Sequence, residues 1–348
     1  MKFDRIAILD WSAAARPKRG RDSIWLGLIT GASDAAEATI TAENIPTRSE
    51  AGTRLRALIA ESVKAGERLL IGADFAFGFP AGFARTMTGR AEALTVWEWL
   101  AERVTDSPAN KSNYRAVAAE MNRQFPGAGP FWGNGQKAET PDLPRLKPAL
   151  PDGIAEHRQT DIAGRDDGGA PKPVWQLAGV GAVGAQTVTG LPVLQRLRAE
   201  FGDDLAVWPF EATRAATAPV VLAEVYPGLL SAETRAVCAQ NPGMVVDEAQ
   251  VRALAHALAG LNAAGGLAPL LVPPTEPQVL REEGWILGAG RAIALRTALT
   301  PTLTPPRLRD DCFAMPQGVR WVPVDEALAR LRDGLQPVTG VETLKVAQ

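Results

Sequence analysis

R5-I-A-I-L-D-W-S12 is a short apolar run that ends on one acid, Asp10, and a small hydroxyl, Ser12. Isoleucine and leucine suit a buried strand. A carboxylate at the end of one must be solvated, paired or given to a metal, because uncompensated burial costs several kcal/mol. Such an acid caps a turn about as often as it serves a site, so its meaning depends on whether other acids converge on it.

Outward from this strand, the basic loop A13-A-A-R-P-K-R-G-R-D22 exposes Arg16, Lys18, Arg19 and Arg21 and turns near Gly20. D22-S-I-W-L-G-L-I-T-G31 and A36-E-A-T-I-T-A42 follow as second and third strands. The short connections predict an antiparallel meander. S49-E-A-G-T-R-L-R-A-L-I-A-E-S-V-K64 takes the helical period, with Leu55, Leu58, Ile59 and Val63 on one face. Ser49 or Glu50 stands near its start and Gly66 at its end. In E67-R-L-L-I-G-A-D-F-A-F-G-F-P80, Leu69 to Ala73 is a core strand, and Asp74 closes it as Asp10 closes the first.

Residues 81–173 change character. Two helical patches, 90–104 and 113–125, lead into a Pro/Gly-rich region, which is expected to be an insertion folded over one edge of the site or partly a mobile lid. Its Lys111, Arg115, Lys137 and Arg158 are candidate anion-binding residues, although exposed basic residues more often form a solvated face. G179-V-G-A-V-G184 matches G-x-G-x-x-G. A dinucleotide site also needs a preceding strand and an acid at the end of the next one. Val174 to Ala178 is a poor strand and Glu200 falls in a helix-like stretch, so close packing of small residues is the expectation.

The core pattern resumes in D204-L-A-V-W-P-F-E211, where Pro209 favours an edge strand or a strand end, and in A218-P-V-V-L-A-E-V-Y-P-G228, which carries Glu224. D247-E-A-Q-V-R-A-L-A-H-A-L-A-G260 is an amphipathic helix with Asp247 near its start, and W285-I-L-G288 reads as a last short strand. The domain division is therefore 1–290 as one α/β domain, with 291–348 as a linker and short tail.

Composition narrows the class. The chain has 348 residues, 46% hydrophobic and 22% charged, with a net charge of -2, which describes a globular protein without a global nucleic-acid signature. The two cysteines, Cys238 and Cys312, form neither a zinc pattern nor a disulfide framework. No stretch reads as a signal peptide or a membrane span, so a cytoplasmic protein without a membrane partner is expected.

Asp10, Asp74, Glu224 and Asp247 occupy comparable places on separate elements. If the strands are neighbours, the carboxylates meet at one end of the sheet. Such groups raise each other's pKa unless a cation lies between them, and oxygen-only ligation suits Mg²⁺ or Mn²⁺. The bland alternatives are a turn cap at Asp10, an arginine partner for Glu224 and an ordinary helix cap at Asp247. Ser12 with His157 is a weak nucleophile pair, and His256 lies in the Asp247 helix.

I-L-D-W-S12, I-G-A-D-F-A-F-G-F-P80, V-W-Q-L-A-G-V-G-A-V-G-A-Q-T-V-T-G190, L-A-E-V-Y-P-G228 and the Asp247 helix followed by E-E-G-W-I-L-G288 resemble the domain family DUF429 over roughly residues 3 to 290. The resemblance implies a ribonuclease H-like mixed sheet with flanking helices, interrupted by the long insertion, and a predicted nuclease. It implies Asp10 as central metal ligand, with Asp74, Glu224 and Asp247 as its companions. The family's last helix often carries D-D or D-x-x-D-A, where this chain has D247-E-A-Q250. The tail, V322-P-V-D-E-A-L-A-R-L-R-D-G-L-Q-P-V-T-G-V-E-T-L344, resembles the opening of molybdopterin molybdotransferases.

The expected function is metal-dependent hydrolysis of a phosphodiester, in nucleic acid or a smaller phosphate compound. Asp10, Asp74, Glu224 and Asp247 are the candidate catalytic and metal-binding residues, and Ser12, Lys111, Arg115, Lys137 and Arg158 the candidate substrate contacts. Two alternatives stand beside it: a non-catalytic accessory protein meeting a partner of the molybdenum cofactor pathway, and a nucleotide-binding transferase.

Overall fold

Six of the seven strands read from the sequence lie side by side in one sheet. The computed structural model describes residues 2–34 and 37–303. It divides the chain into a body, Met1–Thr300, and a C-terminal unit, Pro301–Gln348. In chain order the elements are β1 (Arg5–Asp10), β2 (Ile24–Thr30), β3 (Thr39–Ile45), α1 (Arg48–Ala65) and β4 (Leu69–Ala73). The next are α2 (Phe83–Thr88), α3 (Ala93–Arg103), α4 (Tyr114–Asn122), α5 (Gln159–Asp166) and α6 (Gly184–Phe201). The last are β5 (Leu205–Trp208), α7 (Ala212–Ala215), β6 (Val220–Glu224), α8 (Ser231–Gln240), α9 (Val246–Ala263) and α10 (Ala292–Leu303).

The sheet order is β3-β2-β1-β4-β6-β5. The first three strands form the expected antiparallel meander, and β4, β6 and β5 continue parallel to β1. The product is a mixed α/β fold with helices flanking a multi-stranded sheet. Strand β5 is at the edge, where Pro209 just beyond it breaks no ladder.

Alternation along the strands sorts their side chains between two layers. Ala7 and Leu9, Ile71 and Ala73, and Val220 and Leu222 join one buried cluster with Leu55 and Leu58 of α1 and Val188 and Leu191 of α6. The opposite face lies against α9, which crosses β1 and β2. Gly27 permits that approach, since a Cβ there would stand 3.1 Å from the Val251 side chain.

Several boundaries differ from expectation. Strand β3 begins at Thr39 rather than residue 36, because its ladder with β2 runs from Ile24↔Ile45 to Thr30↔Thr39. Helix α1 is capped by Thr47, which accepts from the Glu50 N–H, while Gly66 closes it at φ 70 as expected. W285-I-L-G288 makes one bridge, Glu224↔Ile286, and no strand. Gly284 (φ 73) and Gly288 (φ 92) interrupt the extended backbone on either side. Helix α10 runs through residues expected to begin a linker, while the tail that resembles a molybdotransferase, with Cys312, lies outside the described residues.

The insertion is anchored by aromatic rings rather than laid over the surface as a lid. Phe79, Phe83, Phe125, Phe131 and Trp175 form one cluster with centroid spacings of 4.5 to 6.1 Å. Such pairs add roughly 0.5–1.5 kcal/mol each beyond area burial. Its irregular backbone is also served: Asn122 accepts from Phe131 N and donates to the carbonyls of Phe131 and Asp142.

Candidate carboxylate site

At the C-terminal ends of β1, β4 and β6 the chain encloses a cavity of about 420 Å³, lined by Asp10, Asp22, Asp74, Glu224 and Asp247, among others. The β1–β4 ladder pairs Leu9 with Ala73, and Asp74 N donates to Leu9 O at 2.9 Å. Asp10 and Asp74 therefore continue the same register on neighbouring strands, whose spacing is roughly 4.8 Å. Both side chains leave on the α9 side, opposite Leu9 and Ala73. The second residue of α9 is Asp247. Three of the four expected acids share this side.

Asp247 is not the helix cap, a place Val245 takes. Its Oδ2 accepts the Asp22 N–H at 2.5 Å, tying the basic loop after β1 to the start of α9. Asp10 is 8% exposed. Among the described residues, no donor or ion-pair partner meets the Asp10 or Asp74 carboxylate. Burial, then the negative charges of Asp74, Asp247 and Asp22, push the Asp10 pKa well above the usual carboxylate range. Burial, then Glu224 and Asp247, push Asp74 up to about 7. Burial also raises Asp247, against the two backbone N–H groups it accepts from Asp22 and Ser23.

Glu224 is placed differently. It pairs with Ala73, not with Asp74, so alternation sends its side chain toward the layer of Leu222. There both oxygens are taken: Arg158 Nη1 donates to Oε2 at 2.7 Å, Arg158 Nη2 to Oε1 at 2.6 Å, and Phe77 N to Oε2 at 2.8 Å. Arg158 also holds Asp161 through Nη2 at 2.8 Å and donates to the Glu283 carbonyl. Burial alone would favour the neutral arginine, but Asp161 and Glu224 outweigh it and hold the guanidinium charged. Glu224 and Arg158, expected as a metal ligand and a substrate contact, form instead a buried ion pair at the cavity floor.

The other expected substrate contacts lie outside the cavity lining. Ser12 Oγ donates to Asp22 O at 3.1 Å and accepts from Ala14 N at 3.2 Å. Arg115 bonds the Asn134 carbonyl and lies over the Tyr114 ring. Lys111 and Lys137 are exposed in the insertion. His157 Nε2 meets Arg165 Nη2 at 2.6 Å, outside the lining, so no Ser12–His157 nucleophile pair forms.

Residues not singled out beforehand complete the site: Asp22, Asp161, Lys172, Gln186, Tyr226 and Gln250. For Asp22 the signal was present. It ends the loop of a hairpin whose other arm finishes at Asp10, which pairs with Trp25. Residues 174–183 form turns and a single bridge, Trp132↔Gln176, before α6 begins at Gly184. The strand that a dinucleotide fingerprint requires is therefore missing there, and Glu200 is in α6, paired with Arg56.

The donor set is all carboxylate oxygen, the chemistry that suits Mg²⁺ or Mn²⁺. Among the described residues no three His, Cys, Asp or Glu side chains already stand in a metal-binding arrangement. Among the same described residues, no helix is long and apolar enough to cross a membrane. Neither protein-family models, curated proteins nor solved structures yield a match to this chain.

Proposed function

We propose that the protein is a metal-dependent hydrolase of phosphodiester bonds, with Asp10, Asp74 and Asp247 as the residues that would hold the cation. The observation that carries this reading is the Asp10 carboxylate, nine-tenths buried, facing the cavity without a donor and flanked by further acids. A buried carboxylate in that setting is stabilised by a proton or by a cation. A cation held by the three carboxylates would offset the mutual charge that raises the Asp10 and Asp74 pKa values.

When bound, Mg²⁺ or Mn²⁺ supplies charge stabilisation at phosphoryl oxygens and lowers the pKa of water. The protein's own part is to fix Asp10 and Asp74 at strand ends beside the start of α9, and to engage Glu224, in the same cavity, with Arg158. The strand order, with an antiparallel β2 and β3 beside parallel β1, β4 and β6, supports a ribonuclease H-like reading of the sheet and, with the motifs quoted above, the likeness to DUF429. The exposed Arg16 to Arg21 loop beside Asp22 supplies a cationic approach for a phosphate-bearing substrate.

The test is hydrolysis of bis(p-nitrophenyl) phosphate and of short oligonucleotides with Mg²⁺, Mn²⁺ or EDTA. Wild type is expected to turn over one of these substrates only with a divalent cation. Asp10→Asn, which removes the charge and preserves the shape, should lower kcat by at least about 100-fold. Activity that persists in EDTA and in the variant would overturn the reading.

A further inference from the structure

Among the described residues the cavity carries two cationic side chains in its lining, Arg158 and Lys172, and of these only Lys172 is free to meet a ligand. Arg158 is spent on Asp161, Glu224 and the Glu283 carbonyl. Lys172 is exposed and, among the described residues, has neither an ion pair nor a hydrogen bond from its ammonium. Its stem is nonetheless placed: Cγ and Cε lie 3.4 and 3.5 Å from where a Cβ on Gly181 would stand. Gly181 has φ 72 and Gly179 φ 114, a turn that side chains rarely adopt and that leaves the lysine stem its track. Ala182, Val183 and Gln186, at and just before the start of α6, line the same cavity; the first N–H of that helix, on Gly184, is taken by the Gln176 carbonyl, so the ammonium is the donor left for an anion.

We propose that Lys172, held along the Gly179–Gly181 turn, binds the phosphate group of a pocket-sized phosphate ester in the cavity that the aspartates also line. This rests on the metal-dependent reading of the same cavity and names its substrate class. The cavity of about 420 Å³ lies within the range of about 300–1,000 Å³ typical of small-molecule sites. One free ammonium answers a single phosphate group, whereas a duplex would need a row of cations. Because acids line the same cavity, phosphate and cation enter cooperatively, and each tightens the other by the same factor.

The experiment titrates inorganic phosphate into wild type, Lys172→Ala and Lys172→Arg by calorimetry, with and without Mn²⁺, and titrates Mn²⁺ alone into each. Lys172 is exposed, so its replacement should leave the fold intact. Lys172→Ala is expected to bind Mn²⁺ as wild type does and to lose about tenfold or more in phosphate affinity. Lys172→Arg should recover most of that loss. Phosphate affinity within about twofold of wild type in Lys172→Ala, or no phosphate binding by wild type in either condition, overturns the proposal. Failure of wild type to bind Mn²⁺ overturns the metal reading alone, and the metal-free phosphate comparison then decides the role of Lys172.

Discussion

Asp74 shows what one residue position does to chemistry. Its carboxyl, half-buried at the end of β4 and facing Glu224 and Asp247, has its pKa raised to about 7. In the unfolded chain the same group titrates near 3.9. The folded protein therefore holds a proton that the unfolded chain has lost, and stability present below about pH 4 drains away as pH rises toward 7. In EDTA, wild type should lose stability across that interval, on the order of a few kcal/mol, and Asp74→Asn should flatten the slope. Chemical denaturation at several pH values measures it, and an unchanged slope in the variant would count against this account. Asp10 and Asp74 were legible because each ends a clear apolar run. What was not legible is which acids share a side, since that depends on the register of β4 with β6, about 150 residues apart in the chain.

At the scale of elements, Arg158 joins α5 to β6 and to the segment Val279–Glu283. Besides the Glu224 and Asp161 pairs, Gln159 N donates to Glu283 Oε2 and Ala81 N to Glu283 Oε1. Removing one partner of a buried pair strands the other charge, so Arg158→Ala should cost about 3–5 kcal/mol. Replacing both partners, as Arg158→Met with Glu224→Leu, should recover much of that loss. Guanidinium denaturation of the single and double variants measures both, and equal losses would mean that the stranded charge is not the cause. The setting E156-H-R-Q-T-D161 is polar, so its arginine resembles a solvated one. The partner that buries it is 66 residues away, and no local pattern announces a pair at that distance.

The whole body depends on how the insertion is joined to the sheet. Trp97 Nε1 donates to Phe77 O at 2.6 Å, and Trp175 meets Phe79, Phe83 and Phe131 within 5.7 Å. Trp175→Ala should therefore destabilise the entire body by about 3–5 kcal/mol rather than loosen one loop. Thermal unfolding should stay a single transition at a lower midpoint; a separate early transition would show that the insertion folds independently. The alternating Phe75, Phe77 and Phe79 signalled burial in the sequence. Their partners in residues 81–173 did not, because glycine and proline hide the periodicity that marks packed elements. The meander, the β4 strand, the edge position of β5 and the Asp247 helix were legible, since each has a local pattern strong enough to survive its surroundings.

The parity of β6 has a consequence for how such a site changes over generations. Val225, not Glu224, stands level with Asp74, and its N–H donates to Ala73 O at 3.0 Å. Loss of one residue ahead of Glu224 within β6 would carry the glutamate to the aspartate side and strand Arg158 in the same event. Gain or loss of a single codon thus alters the ligand set more abruptly than any substitution at Glu224 itself. The arginine acts as a lock on the register of the strand, making a shifted sheet costly before its chemistry can be tried.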